Sequence, residues 1–335
     1  HLSLRRQRQM CIRDSPWPDH SHSPTEEFGH TSSTQHLNGL NLSKVVTVMN
    51  MKGGVGKTTT AMHIAGMLAR YRFNDAPNYR RVLMIDYDPQ FNLSQAFLPS
   101  KLYFQLEEQR KTTLAILVDD DSDINQYEIQ VPGNHKPPSA SNLTTELINY
   151  NDNGCLHIIP STLNLMYIAL GQATEQIKPI EERFTKFINE CRQIYDLIII
   201  DCHPAGSIFT RTSLTNSDAV LIPVAPEKVA ARGIGLMLNF IQSKKLGPKG
   251  PTPHILFNRM PRFKTDYKSN AIETAIRTNP KYGNYCLENT LKKFTAFSDP
   301  EEGRGFVWNS TKPYSTEAHS NLMQVAKEFS RKISQ

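Results

Sequence analysis

One glycine-rich stretch, residues 52–59, constrains this chain more than any other part of its 335 residues. Its sequence is KGGVGKTT, with an apolar run typical of a buried β-strand before it and a helix-like apolar pattern after it. In this order, the glycines let backbone N–H groups converge on one point, and the helix N-terminus adds partial positive charge there. The stretch therefore predicts a phosphate-binding loop.

Two lysines and a threonine of this loop carry the expected chemistry. Lys57 is expected to hold the β- and γ-phosphates, and Thr58 to give its hydroxyl to Mg²⁺. Lys52 begins on the rim, so we expect its side chain to reach outward, toward the nucleotide of a partner subunit. The nucleotide-binding candidates in the loop are Lys52, Gly53, Gly54, Val55, Gly56, Lys57, Thr58 and Thr59.

Acidic residues follow two further apolar strands. Residues 82–85 lead into Asp86 and Asp88, and residues 197–200 lead into Asp201. Parallel strands place such acids at the sheet edge where ligands bind. Asp201 is then expected to bind Mg²⁺ through water, and Asp86 and Asp88 to serve the metal and the attacking water. A solvated turn is the alternative for the Asp86–Asp88 segment.

A short strand, residues 254–257, ends in Asn258. An amide at this edge offers both a donor and an acceptor to adenine, while an ordinary turn asparagine is the open alternative. Strands and helices alternate along the chain, which predicts a doubly wound α/β fold with a mostly parallel sheet flanked by helices.

The first 43 residues differ from the rest, being basic and aperiodic at first and then rich in Ser, Pro, His and Thr. We expect a disordered or non-native tail there, with a basic arm that touches DNA as the alternative. Residues 44–335 are expected to form a single domain. Within it, residues 99–153 give weak signals and are expected to be variable and loop-rich.

Composition excludes several classes of protein. No apolar run approaches 18 residues, so no transmembrane helix is expected. The five cysteines are scattered without a C-x-x-C pair, which argues against a zinc site or a disulfide framework. This cysteine usage favours a reducing cytoplasm.

Basic residues dominate residues 244–293, where the only acidic ones are Asp266, Glu273 and Glu288. The aromatic residues Phe263 and Tyr267 lie among them. Such a surface can bind a phosphate backbone without reading its sequence, and a solvated basic face without a partner is the alternative. The candidate DNA-binding residues are Lys244, Lys245, Arg262, Lys264 and Lys268.

These motifs together resemble one family. Residues 52–59 match the deviant Walker A loop of the ParA/MinD ATPases, and Asp86 to Gln90 followed by Asn92 is similar to the family's D-x-D-P-Q-x-N segment. Further blocks resemble the family in the family's order, at residues 158–161, 198–204 and 220–227. The D-P-Q-x-N form and the basic C-terminal half favour the ParA partition branch, as does the lack of an obvious C-terminal amphipathic membrane helix.

The resemblance implies a P-loop fold and an Mg²⁺-dependent ATPase with ATP and Mg²⁺ as cofactors. The implied roles are phosphate and Mg²⁺ binding by Lys57 and Thr58, contact with the partner's ATP by Lys52, water activation by Asp88, metal support by Asp86 and Asp201, and adenine contact by Asn258. The implied partners are a second copy on ATP binding, non-specific DNA, and a ParB-like adaptor in plasmid or chromosome partition. The implied location is the nucleoid in the cytoplasm, and the alternative is a MinD-like membrane-associated positioning ATPase.

Overall fold

Seven strands, most of them rich in β-branched and apolar residues, form one sheet in this computed structural model. They are β1 (Lys44–Val48), β2 (Arg81–Tyr87), β3 (Thr145–Asn149), β4 (Cys155–Ile159), β5 (Leu197–Cys202), β6 (Ala219–Val224) and β7 (Thr252–Phe257). Their order across the sheet is β3–β4–β2–β5–β1–β6–β7. All described pairings are parallel except that of edge strand β3 with β4. The predicted doubly wound, mostly parallel sheet is confirmed.

The structure describes residues 43–119, 136–150, 154–170, 174–203, 207–227, 229–243, 250–263, 266–300 and 305–335. The expected tail therefore lies outside the described residues, apart from Ser43. Lys244, Lys245 and Lys264, three of the candidate DNA-binding residues, also lie outside them.

Helices cover both faces of the sheet. They are α1 (Lys57–Arg70), α2 (Asn92–Phe97), α3 (Ser100–Glu108), α4 (Leu114–Leu117), α5 (Ala140–Leu143), α6 (Leu165–Leu170), α7 (Thr174–Ile194), α8 (Ile208–Thr215), α9 (Ala230–Ile241), α10 (Tyr267–Arg277) and α11 (Ser315–Ser334). Buried residues of α1, α2, α3 and α11 form one hydrophobic cluster, and those of α4 to α10 belong to the other. The sheet thus separates two cores.

Strand β1 shows how the sequence builds both cores at once. Val45, and Met49 directly after the strand, belong to the cluster under α4 to α10. Val46 and Val48 belong to the cluster under α1. Successive side chains of a strand point to opposite faces, so a strand that is covered on both sides needs a continuous apolar run. Such a run is what the sequence supplies before the phosphate loop.

Residues 99–153 hold more regular structure than their sequence indicates. Helix α3, the short helix α5 and edge strand β3 all lie within this region. In α3 the buried residues are Tyr103 and Leu106, and in β3 Glu146 and Asn149 are exposed. Short elements that bury one narrow face show little periodicity, because too few positions repeat.

Helix α11 buries one apolar face against the rest of the protein. Leu322, Val325, Ala326 and Phe329 are all fully buried, and the helix packs against α1. Its apolar side is therefore already covered by the protein itself. In the parts of the chain that the structure describes, no helix has both the length and the hydrophobicity to cross a membrane.

A buried histidine joins β7 to α11. His254 is 6% exposed, and its ring lies 5.9 Å from that of Phe329, edge to face. Burial lowers the pKa of His254 from 6.5 to about 4, with a further lowering from Lys332 and an opposing effect of Glu328. The imidazole is therefore neutral in the folded chain at pH 7.

We expect this histidine to make the fold sensitive to acid. The unfolded chain binds the proton near pH 6.5 and the folded chain only near pH 4, so its stabilising contribution is complete above pH 6.5 and is lost as the pH falls toward 4. Between pH 7.5 and 5.0 this one group should remove about 2 kcal/mol of unfolding free energy. Urea unfolding at both pH values measures this loss. Between pH 7.5 and 5.0, the unfolding free energy of His254→Leu should fall by about 2 kcal/mol less than that of wild type. Equal losses in the two proteins would contradict the lowered pKa.

Candidate functional site

The loop between β1 and α1 has the backbone conformation that its glycines permit. Gly54 and Gly56 have φ angles of 74° and 84°, in the left-handed region that side chains disfavour. Gly56 caps α1, and its carbonyl accepts a hydrogen bond of 2.9 Å from the Thr60 N–H. A Cβ on Gly53 or Gly54 would meet no atom within 4 Å. The outer side of the loop is thus open, as a phosphate site requires.

Neighbouring strands hold this loop in place. The Asn50 amide donates to the Pro223 carbonyl over 2.8 Å, and the Lys52 N–H donates to Asn50 Oδ1 over 3.0 Å. From the end of β7, Asn258 Nδ2 donates to the Val55 carbonyl over 2.8 Å. These bonds tie the loop after β1 to β6, the strand beside β1, and to β7, the next strand outward, so the order of strands in the sheet positions the loop.

A cavity of about 360 Å³ opens over the loop, and we call it the phosphate cavity. Lys57, Thr58 and Asp88, which the sequence predicts as site residues, all line it. Its complete lining is Gly54, Gly56, Lys57, Thr58, Thr59, Asp88, Asn92, Gln95, Ala96 and Arg259. A cation, a hydroxyl and a carboxylate thus share one cavity with the glycine backbone.

Asp201 lies directly behind Thr58. It pairs in register with Val48 at the end of β1, and its carboxylate accepts a hydrogen bond from the Thr58 hydroxyl. Burial raises the pKa of Asp201 to about 7, with a further rise from Asp88, while Thr58 and Lys57 oppose the rise. Asp201 Oδ2 is buried without a hydrogen-bond partner in the described part of the chain. Such an atom is suited to a ligand that the chain itself does not supply.

Asp86 lies next to Asp201, because the two pair in register between β2 and β5. It is fully buried, and Ser94 donates to Asp86 Oδ2 from both its N–H (2.8 Å) and its hydroxyl (2.6 Å). The Asp88 N–H donates to the other oxygen over 3.3 Å. Burial and the neighbouring Asp201 raise the pKa of Asp86 well above its usual range. Asp86 therefore anchors α2 beside the cavity, and its support of a metal stays a prediction.

The acidic residues suit a magnesium ion that is held partly by water and phosphate better than a metal ion that is held by protein side chains alone. Among the described residues, no group of three or more His, Cys, Asp or Glu side chains could hold a metal ion. Mg²⁺ typically keeps several waters and takes one or two protein ligands together with phosphate oxygens. The Thr58 hydroxyl and Asp201, through water, match that demand once a nucleotide is present.

A second cavity of about 290 Å³ adjoins the first, and we call it the side cavity. The two share Gly56, Thr59 and Arg259. The remaining lining of the side cavity is Thr60, His63, Asn258, Leu291, Lys292, Lys293, Phe294, Phe297 and Ser298. A ligand that fills both cavities would place a polyphosphate over the glycine loop and a flat, less polar group against the aromatic wall.

Asn258, predicted to contact adenine, lines this side cavity. Its Nδ2 donates to Val55, and its Oδ1 accepts from the Arg259 N–H over 2.8 Å. A Cβ on Gly56 would lie 2.4 Å from Asn258 Nδ2, so the two residues are in close approach. Asn258 thus braces the loop, and its contact with a base stays a prediction.

Sequence reasoning missed Arg259 and Gln95 as site residues. Arg259 is exposed, has a left-handed φ of 57° and lines both cavities. Arg259 could have been predicted from its position directly after Asn258, at the end of a strand. Gln95 gave no such signal, because only the turn of α2 brings it over the phosphate cavity.

Lys52 lines neither cavity. Its side chain is 40% exposed, and its ammonium forms an ion pair with Glu227 of the same chain, beyond the end of β6. The prediction that this side chain starts on the rim agrees with its position. Its contact with a partner's nucleotide stays a prediction.

Two of the candidate DNA-binding residues are described, and they differ in environment. Lys268 is exposed in the first turn of α10. The Arg262 guanidinium lies 3.8 Å from the ring centroid of Tyr314, with the rings of Phe263 and Phe294 within 5.6 Å. Aromatic faces attract such a cation, so Arg262 is held in one place at the surface.

Comparison with known proteins identifies the family and supports the fold. The AAA domain family matches residues 43–247. Sporulation initiation inhibitor protein Soj of Bacillus subtilis is 31% identical over 203 residues, which are 60% of this chain and 66% of Soj, just under two thirds of its length. Because the family match covers more than half of it, the chain belongs to this AAA-domain family, as a ParA/MinD-type ATPase.

Solved structures share the fold at lower identity. A putative plasmid partition protein from Borrelia burgdorferi B31 bound to AMPPNP superposes with a TM-score of 0.57 and 21% identity, over 84% of this chain and 98% of that one. Cobyrinic acid a,c-diamide synthase from Mycobacterium smegmatis with a bound ATP analogue and magnesium gives a TM-score of 0.56 and 20% identity, over 78% of this chain and 91% of that one. Related proteins of this fold thus bind ATP analogues and magnesium.

We expect Gly56→Ala to weaken nucleotide binding at least tenfold. A side chain there meets both a left-handed backbone and Asn258 Nδ2 at 2.4 Å, so the loop must shift. Binding of fluorescent ATP, measured by titration, should weaken at least tenfold. Gly233→Ala is the matched control, because its Cβ in α9 would meet nothing within 4 Å and should leave binding unchanged. Normal affinity in Gly56→Ala would contradict the described loop.

Proposed function

We propose that this chain is an Mg²⁺-dependent ATPase that dimerises around ATP, binds DNA without sequence preference and drives plasmid or chromosome partition with a ParB-like partner. One observation carries the proposal: the glycine loop opens onto a polar cavity that continues into an aromatic-walled one. This shape suits a nucleoside triphosphate. The similarity to Soj and the fold shared with partition proteins support the cellular role.

The residues at the phosphate cavity suit hydrolysis by positioning. Phosphoryl transfer to water needs little covalent chemistry from the protein and depends on placement and charge neutralisation. Lys57 and the loop N–H groups would hold the phosphates, and Asp88, which lines the same cavity, would position the attacking water. Thr58 and, through water, Asp201 would hold Mg²⁺, which would supply further neutralising charge. Slow turnover by the lone chain is expected if a partner must complete the site.

Lys52 is the residue proposed to act across the dimer. It stands outside both cavities of its own chain, where its present partner is the half-exposed Glu227. Ion pairs at the surface stabilise a fold by at most about 1 kcal/mol. The pair with Glu227 is therefore weak enough to exchange for a partner's phosphate oxygens.

Lys52→Ala should separate nucleotide binding from dimerisation. Because Lys52 lines neither cavity, ATP affinity should change less than about threefold, whereas the ATP-dependent dimer should be lost in light-scattering chromatography. Glu227→Gln is the control, since it removes the ion pair and leaves the lysine, and it should still dimerise. A stable ATP-dependent dimer of Lys52→Ala would refute the role across the interface.

The basic surface around α10 is the proposed DNA contact. Lys268 is exposed in α10, and Arg262 is held at the surface by the ring of Tyr314. Arg277 is a different case, because its guanidinium bonds to Glu273 and to the Leu287 carbonyl and so serves the fold. Cations that lack such internal partners are the ones available for phosphates.

Lys268→Ala should weaken DNA binding and its dependence on salt. Wild type should bind duplex DNA with ATP and not with ADP or without nucleotide, and the affinity should fall steeply as salt rises. Loss of one phosphate contact should reduce the slope of log affinity against log salt by about 1. Lys101→Ala is the control, an exposed lysine of α3 on the opposite face of the sheet. Equal slopes in the two variants would remove Lys268 from the contact.

The membrane alternative finds no support in the last described helix. The apolar face of α11 is buried against α1, so this helix offers no free hydrophobic side to a lipid surface. We therefore propose action on the nucleoid, in the cytoplasm. Binding to anionic vesicles in place of DNA would overturn that proposal.

A further inference from the structure

His63 is a buried polar residue that the proposed chemistry leaves unused. It lies in α1, one turn after Thr59, and is 1% exposed. The rings of Phe297 and Phe306 lie edge to face with its imidazole, at 5.0 and 5.9 Å. Helix α1 begins at the phosphate loop, so His63 has a fixed position relative to that loop.

One hydrogen bond determines which imidazole nitrogen carries the proton. His63 Nδ1 lies 2.9 Å from the Thr59 carbonyl oxygen, which can only accept, so Nδ1 is the donor. Burial lowers the pKa of His63 to about 4, against smaller raising effects of the Thr59 carbonyl and of Asp299. The ring is therefore neutral at pH 7, and Nε2 is a bare acceptor.

Nε2 has no partner among the described residues, although it is buried. A buried acceptor without a partner is costly, and native structures rarely leave one unexplained. His63 lines the side cavity, so an occupant of that cavity is the available partner. That occupant must bring a hydrogen-bond donor.

Several other polar side chains of this cavity are already hydrogen-bonded or can only donate. Asn258 uses its Nδ2 on Val55 and its Oδ1 on the Arg259 N–H. The Ser298 hydroxyl donates to the Thr295 carbonyl over 2.7 Å. Lys292 and Lys293 are donors, not acceptors. Among the described side chains that line this cavity, His63 is thus the one with a buried nitrogen acceptor that has no partner.

Adenine and guanine differ in the C6 substituent that could meet such an acceptor. Adenine carries an amino group at C6, which donates, whereas guanine carries a carbonyl oxygen at C6, which accepts. A neutral Nε2 attracts the first and repels the second. A site with a buried acceptor discriminates strongly against ligands that lack the matching donor.

We propose that His63 is a specificity-determining residue, and that its Nε2 accepts a hydrogen bond from the 6-amino group of adenine in the side cavity. This inference rests on the proposed function, in which one nucleoside triphosphate fills both cavities. It assigns base selection to a residue of the phosphate-loop helix and leaves Asn258 as the brace of the loop.

The test compares ATP with purine riboside 5′-triphosphate, which has hydrogen in place of the 6-amino group, and with GTP. Each competes against fluorescent ATP at equilibrium in Mg²⁺ buffer. Wild type should bind ATP about tenfold more tightly than the amine-free analogue, the effect of one buried hydrogen bond, and GTP more weakly still. In His63→Phe, the preference for ATP over the analogue should fall to roughly twofold or less.

His254→Phe is the matched control. His254 is also buried, also has its pKa lowered to about 4 and also has an Nε2 without a partner among the described residues, but it does not line the side cavity. It should keep the wild-type preference for ATP. Circular dichroism and thermal unfolding check that both variants fold.

A measurement on wild type keeps the inference testable if His63→Phe does not fold. In protein labelled with ¹⁵N-histidine, a bare imidazole nitrogen should shift when ATP binds and should not shift with the amine-free analogue. Equal binding of ATP and analogue by wild type, or an unchanged preference in His63→Phe, would overturn the inference and leave the proposed ATP site standing. Failure of wild type to bind any of the three triphosphates would overturn both.

Discussion

The close approach of Gly56 and Asn258 is the constraint on which the rest of the site depends. Asn258 Nδ2 reaches the Val55 carbonyl only because residue 56 has no side chain, and this bond ties the loop after β1 to the end of β7. The same contact stands where the phosphate cavity meets the side cavity. The absence of a side chain at one glycine thus sets both the curvature of the loop and the boundary between the two halves of the proposed nucleotide site.

The parts of the molecule that the sequence predicts well are those with local causes. Glycine spacing, a lysine and a threonine define the loop, and continuous apolar runs define the buried parallel strands, because both signals lie within a few consecutive residues. Asp88 and Asp201 could be placed at one edge since parallel strands end together there. Asp86 pairs with Asp201 in register, so its position beside the site follows from the same rule.

The parts that sequence reasoning could not supply depend on neighbours distant in the chain. Ser94 engages Asp86, and Glu227 engages Lys52, through contacts that no spacing encodes. In the sequence, His63 looks like an ordinary helix residue. Only the fold brings Phe297 and Phe306 against it. Edge strand β3 and helix α3 could not be predicted for another reason: each buries too few residues to give a repeating hydrophobic pattern.

The packing of α11 on α1 has a consequence for how the chain matures on the ribosome. Helix α1 is synthesised before the other described helices, and α11, which covers part of its apolar side, is made last among the described elements. Contacts between such distant segments form slowly, and uncovered apolar surface invites aggregation meanwhile. Until α11 has been synthesised, the side of α1 that it covers therefore stays exposed in the nascent chain, and this is the kind of surface that chaperones shield.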